Sequence, residues 1–289
     1  MSLILVSDEH EIDEVPLSLI PDCAPGPDCF TGSFFVDSWV LLKDSIVLVI
    51  QDFFRGWSIP HEASASSMVL IPKGKDPSSL NHYRTIRWCN FVYKVLSTVI
   101  NKRMSYHLNL WMSKEQHAFI KGHTIQGEIG LAEEMLCDLK QKVRGSNIFI
   151  KLDMDKVFES IEWSFLIKVL GYMGFSVLSV DNLFRCFFSS WLSMLFMGKN
   201  YGFFKSVKAL HQGYPLSPTL FVLDQDVFKR YIKKCISEIR LSLFVCPTRF
   251  QGLTHLMYVD DTISILNGGQ CTILGVIYKL NKIMCDIIL

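Results

Sequence analysis

A chain of 289 residues, 49% hydrophobic and 12% aromatic, buries a core in one large domain or two small ones, which excludes a disordered or fibrous polypeptide. Twenty-nine Lys and Arg against 28 Asp and Glu leave a net charge of +1, which excludes a wholesale nucleic-acid coat though not a local basic surface. The nine cysteines never stand as C-x-x-C and the eight histidines do not cluster with them, so no zinc site or disulfide framework is expected; the setting is expected to be intracellular, in nucleus or cytoplasm.

The opening MSLILVSDEHEIDE has no basic n-region and turns acidic at once, so no secretory signal or transit peptide is predicted. Residues 8–28 carry acids and no Lys or Arg, and PDCAPGPDCFTG reads as an irregular connector from its Pro and Gly density. The apolar run SWVLLKDSIVLVIQDFF predicts a buried helix ending near Trp57, since Lys43 and Asp44 break it as a membrane span. SMVLIPKGKDPSSLNHYRTI predicts a strand, a Lys/Gly/Pro loop and a second extended piece, followed by a helix over FVYKVLSTVINKRM with Val92, Val95, Leu96 and Val99 on one face. Residues 73–103 carry Lys73, Lys75, Arg84, Arg87, Lys94, Lys102 and Arg103 against one acid, Asp76. Such a run suits phosphates, although a solvated helix face is its commoner meaning. A further amphipathic helix is predicted over 124–140, with Ile125, Ile129, Ala132, Leu136 and Leu139 as its stripe.

In NIFIKLDMDKVFESIEW the period of two sets Ile148, Ile150, Leu152 and Met154 on one side of a strand and Phe149, Lys151 and Asp153 on the other. WSFLIKVLGYMGF predicts a helix with Gly171 and Gly174 as terminators. LFRCFFSSWLSMLFMG, bracketed by Asp181, Arg185 and Lys199, reads as a second buried helix. HQGYPLSPTLFVLDQDVFKRYIKK joins a Gln-Gly turn to a helix with Ser217 as N-cap, Pro218 at its first position, and Leu220, Leu223, Val227 and Tyr231 as its buried stripe. Last, HLMYVDDTISI sets Asp260 and Asp261 in a strand-like run. The bland reading is a hairpin turn and the sharper one a metal-binding turn with a partner acid elsewhere. Helices, a strand with one acid, and a hairpin with two imply an α+β fold, an antiparallel sheet backed by helices.

Five of these stretches, IPKGKDPSSLNHYRTI, EQHAFIKGHTI, KLDMDKVFESIEW, GFFKSVKALHQGYPLSP and HLMYVDDTISI, in this order and at these intervals, resemble the reverse transcriptase of non-LTR (LINE-type) retrotransposons, most like the plant elements. With APGPDCFTGSFF the resemblance runs from about residue 20 to the end. It implies a right-hand polymerase with fingers and palm: an N-terminal segment over 1–65, fingers over 66–147 and palm over 148–289, incomplete at its C-terminus. The family's thumb is expected to be absent and its endonuclease to lie outside the chain. The implied activity is RNA-directed DNA synthesis on an RNA template, extending a DNA primer with dNTPs, with no membrane association and an oligomeric state left open.

Nucleotidyl transfer of this kind uses two Mg2+ ions, or Mn2+, held by hard carboxylate oxygens. The resemblance assigns Asp153 and Asp260 as principal ligands, with Asp261 beside them. It also assigns Lys73 and Arg84 to the triphosphate, Phe158 to the sugar of the incoming nucleotide, the Gln212–Gly213 loop to template and nucleotide, and Tyr258 to the primer terminus. For Phe158 and Tyr258 a plain core role stays open. The family usually has Gly at Cys29, Pro at Thr85, Arg at His123, Arg, Gly, Arg and Asp at Lys208, Ala209, His211 and Tyr214, and Ala at Val259. The substitutions beside the Gln-Gly loop put its geometry in question. Two rival readings are an inactive retroelement relic and a metal-dependent nuclease, for which only Lys151 and His255 lie near enough in sequence to serve as a base.

Overall fold

The computed structural model describes residues 2–19, 24–112, 147–153, 157–188, 190–238, 255–258 and 261–267, together with residues 130 and 133. The chain divides into two compact units, Met1–His107 with Leu166–Leu220, and Leu108–Phe165 with Phe221–Leu289. Most of the helix expected over 124–140 lies outside the described residues, as do Met154 and His123.

In the first unit, α1 (Glu9–Ser18) starts where the Asp8 carboxylate accepts the Glu11 N–H at 2.7 Å, an N-cap whose charge also suits the helix dipole. The acids of the opening segment are met by bases from other elements. Lys43 bonds Glu9 at 2.6 Å and also Asp13, and Arg103 grips Glu11 through Nε and Nη2 at 2.6 and 2.5 Å. After α2 (Gly32–Asp37) comes α3 (Trp39–Phe54), the first expected apolar helix, which buries Ile46, Val47, Ile50, Phe53 and Phe54. Arg185 closes its C-terminal end. The guanidinium donates to the carbonyls of Phe53 and Trp57 at 3.0 Å each while lying over the Phe53 ring, satisfying acceptors a helix end leaves open.

A short turn, α4 (His61–Ser64), leads into β1 (Ala65–Pro72) and its antiparallel partner β2 (Tyr83–Cys89), then α5 (Phe91–Trp111), which starts where the sequence indicates. On α5 the fully buried Tyr93, Leu96, Ile100 and Met104 form the centre of this unit's core, and the Tyr93 hydroxyl donates to the Cys186 carbonyl at 2.5 Å.

The second unit contributes β3 (Asn147–Asp153), the strand that period-two alternation predicts, and a single helical turn, α6 (Val157–Ser160). The next helix, α7 (Trp163–Tyr172), runs through Gly171, contrary to expectation; Gly174, with φ +86°, is the residue that takes the left-handed conformation beyond its end.

The run expected as a second buried helix divides instead into a helix, α8 (Val177–Phe188), and a hairpin of β4 (Trp191–Phe196) and β5 (Lys199–Lys205). The link between those strands is Met197–Gly198, with φ of +48° and +73°, the two positive values a two-residue hairpin turn demands. The first unit therefore holds a four-stranded sheet in the order β2-β1-β4-β5, antiparallel except for the parallel β1–β4 pair.

Helix α9 (Ser217–Glu238) begins one residue before expectation: Ser217 is its first residue, and its buried Oγ has no hydrogen-bond partner among the described residues, so it does not serve as the expected side-chain cap. Leu220 and Leu223 are buried as expected, but so is every residue from Thr219 to Asp226, so two turns of the helix are enclosed on all sides rather than along one stripe. Finally β6 (His255–Tyr258) and β7 (Asp261–Asn267) form the expected hairpin and join β3 in an antiparallel sheet of order β3-β7-β6 in the second unit. Among the described residues no helix is long and apolar enough to cross a membrane.

Candidate active site

In the second unit the strand registers align three of the expected residues. Asp153, the last residue of β3, is the Cα partner of Asp261, the first of β7, and Asp261 is in turn the partner of Tyr258, the last of β6. The three stand in one row across the sheet at its end. Residues 259 and 260 link β6 to β7; Asp260 and Val259 lie outside the described residues. Lys151 pairs with Ile263 and His255 with Ser264, so neither belongs to that row. Among the described residues no three His, Cys, Asp or Glu form a group able to hold a metal ion.

Phe158 of α6 is half-buried and stacks on Phe221 of α9, with ring centroids 4.5 Å apart and planes 18° from parallel. Part of its surface thus serves the packing of this unit, as the core reading of that residue anticipates. Three residues along α9, Asp224 is buried and its Oδ1 has no hydrogen-bond partner among the described residues. Burial pushes its carboxyl up to about 7.

In the first unit the remaining site residues are strung along β2. Lys73 continues β1 by one residue, its N–H bonded to the His82 carbonyl at 2.8 Å, and Arg84 pairs with Ile71. Two register steps separate Lys73 from Arg84's partner, so both exposed bases fall on the same face of the β1–β2 hairpin. Three residues further along, the Arg87 N–H donates to the Gln212 carbonyl at 2.9 Å and fastens the Gln-Gly turn to this strand. Only glycine fits at 213, for two reasons: its φ is +104°, and a Cβ there would lie 2.5 Å from the Arg87 carbonyl oxygen.

The residues around this turn settle how the loop tolerates its departures from the usual pattern. His211 is fully buried, with Nε2 2.8 Å from Arg87 Nη1 and its ring edge-on to Tyr214 at 4.8 Å. Burial, then the neighbouring guanidinium charge, hold the imidazole pKa well below its ordinary value, so the ring is neutral and Nε2 accepts from Arg87. Tyr214 replaces a carboxylate with a buried phenol, whose hydroxyl joins those of Ser66 on β1 and, at 2.8 Å, Ser190. The charges are lost, but the turn is anchored to the sheet. Ala209, at φ +84°, and Cys29, at φ +63°, hold left-handed conformations at two positions where the sequence comparison expects glycine.

The basic run 73–103 therefore has a divided meaning. Arg87 positions the turn, Lys94 Nζ donates to the Ala24 carbonyl at 2.8 Å, and Arg103 binds Glu11, whereas Lys73, Lys75 and Arg84 remain exposed around the hairpin. Arg87 and the Ser66–Ser190–Tyr214 hydroxyl group are the positioning residues that sequence reasoning missed. Their signal is tertiary, since 124 residues separate Arg87 from His211.

The reverse transcriptase (RNA-dependent DNA polymerase) family model matches residues 71–285. The "Transposon TX1 uncharacterized 149 kDa protein" of Xenopus laevis is 24% identical over 260 residues, covering 86% of this chain and 19% of its own length. The chain thus spans about a fifth of that curated relative. Among solved structures, apo telomerase from Candida tropicalis truncated from its C-terminal domain superposes with a TM-score of 0.52 at 15% identity, over 87% of this chain and 52% of that one. That likeness establishes the fold: an α+β polymerase arrangement of fingers and palm.

Proposed function

The chain belongs to the reverse transcriptase (RNA-dependent DNA polymerase) family, and on that premise we propose that it catalyses two-metal nucleotidyl transfer from a dNTP to a DNA primer on an RNA template. It is an RNA-directed DNA polymerase by family and similar to a transposon protein. The single observation that carries the finer reading is the register of Asp153 with Asp261 at the ends of adjacent strands. Residues directly opposite across an antiparallel pair share a face of the sheet, and two neighbouring acids repel unless a cation lies between them. Carboxylate oxygens are the donors Mg2+ and Mn2+ prefer, so the donor set fits such ions.

In this reading Asp153 and Asp260 are the principal ligands and Asp261 supports them. Bound there, two divalent ions stabilise the attacking and leaving oxygens of an in-line displacement. Lys73, as a point charge, and Arg84, as a planar fork, hold the triphosphate, a role supported by their exposure on one face of the hairpin. The Gln212–Gly213 turn offers backbone to template and nucleotide, supported by its fastening to Arg87 and by a glycine that permits close approach. Phe158 flanks the nucleotide sugar with the part of its surface that Phe221 leaves uncovered, and Tyr258, in the acid row, flanks the primer end. The fingers comprise 66–147 and the palm residues from 148.

The test is primer extension by the purified chain on an RNA template with dNTPs and Mg2+ or Mn2+, beside Asp153→Asn. Metal-dependent extension that the substitution abolishes is the expected result. No extension at any protein concentration would assign the chain to the inactive relics, and cleavage of the template in place of extension would assign it to the nucleases.

A further inference from the structure

Strand β5 forms one edge of the four-stranded sheet and all seven of its residues are exposed. It nevertheless carries Tyr201, Phe203 and Phe204, aromatic surface that folding normally hides. The rings are not loose. Phe203, 59% exposed, stacks on Trp191 of β4 with centroids 4.6 Å apart and planes 7° from parallel, and Lys205 Nζ sits 5.0 Å from the Trp191 ring centre. Two β5 residues oppose Ser193 where the pairing register shifts, and the first of them, Gly202, has φ +71°, as a glycine bulge requires. Lys205 opposes Trp191 and shares its face with Phe203, whereas Lys199 opposes Phe196 on the other face, and no Asp or Glu occurs in the sequence from residue 182 to 223.

We propose that the β4–β5 hairpin is a platform for single-stranded RNA, stacking bases on the outer face of Phe203 and neutralising phosphates with Lys205, through residues other than those assigned to nucleotidyl transfer. An exposed ring held in place by its neighbour, with a lysine on the same face, is what a sequence-tolerant single-strand surface needs: every base has a π-face and every nucleotide a phosphate. The bulge at Gly202 disfavours the obvious competitor, edge-to-edge pairing with a second copy, because it interrupts the regular ladder of backbone groups that a second strand would need.

The test is fluorescence anisotropy with a fluorescein-labelled 15-nucleotide oligouridylate in EDTA, so that no metal-dependent step contributes. Ultraviolet crosslinking of a 4-thiouridine version follows, with the modified peptide identified. Crosslinks within 191–205 are expected. Phe203→Ala should weaken binding about tenfold. Lys205→Gln should reduce the slope of log affinity against log salt by about 0.7. Tyr172→Ala, another aromatic and 92% exposed, should change neither. Asp153→Asn should bind as the parent does while losing extension, which keeps this inference separable from the catalytic one. Unchanged affinity in Phe203→Ala, equal weakening by Tyr172→Ala, crosslinks confined to other segments, or a dimer that Phe203→Ala converts to monomer would each overturn it. If Phe203→Ala alters the circular dichroism melt, Phe203→Tyr with retained affinity and the Lys205→Gln slope decide instead.

Discussion

Asp224 is a buried acid whose Oδ1 lacks a partner among the described residues, and its carboxyl is raised from 3.8 to about 7 by desolvation alone. A carboxyl that holds its proton more tightly when folded destabilises the fold wherever the unfolded chain would have released it. Below about pH 4 both states are protonated and the group contributes no penalty. As pH climbs from about 4 to 7 the unfolded state gains by ionising, and above about 7 the loss levels off. A shift from 3.8 to about 7 corresponds to on the order of 4 kcal/mol at 1.36 kcal/mol per unit, a large part of a typical folding free energy. Asp224→Asn removes the ionisation and keeps the shape. Urea unfolding of both proteins at pH 5 and pH 8 isolates the effect, because all other titrating groups cancel in the comparison. The variant's advantage should grow by about 2–3 kcal/mol between those pH values, part of the penalty being present already at pH 5. An advantage of equal size at both would refute the reasoning, since a buried carboxyl cannot be costly to ionise and indifferent to pH together.

Gly213→Ala should destabilise by about 2–4 kcal/mol, from a positive φ and a crowded Cβ together, and should reduce primer extension more than it lowers the melting temperature if the turn serves the nucleotide. Ala209→Gly and Cys29→Gly relieve left-handed strain and should each stabilise by roughly 0.5–1 kcal/mol in urea titrations, the added chain entropy offsetting part of the relief. Met197→Asn puts the residue that tolerates the turn's φ of +48° into the β4–β5 link, and should raise thermal stability by a fraction of a kcal/mol with RNA affinity unchanged.

Local signals read correctly wherever the period was long enough. The alternation in NIFIKLD marks β3, and α5 begins at Phe91 as its stripe indicates. WLSMLF failed because six residues, five of them apolar, fit a strand or a buried helix equally, and the turn that would have discriminated them is Met-Gly instead of the familiar Asn-Gly. Gly171 misled because a glycine near a helix end is a stop signal only when the backbone turns left-handed there, which it does at Gly174. The parallel pairing of β1 with β4, such as Ser66 with Leu192, joins segments too distant for any local pattern. The acids of the site were visible as residue types, yet the row of Asp153, Asp261 and Tyr258 comes only from pairing, and the loop's substitutions make sense only once Arg87 and the serine hydroxyls are seen beneath it.

Each of the two units is assembled from a pair of segments separated in the chain, so the polypeptide passes from one to the other three times. A ribosome that has delivered the first 200 residues has therefore finished neither. Strand β1 must await a neighbour made more than a hundred residues later, and β3 must await the last hairpin. Loop closures of that length slow folding and leave strand edges bare in the interval. No single cut yields either body as a contiguous piece, so fragments released early should depend on chaperones and aggregate before the complete chain does.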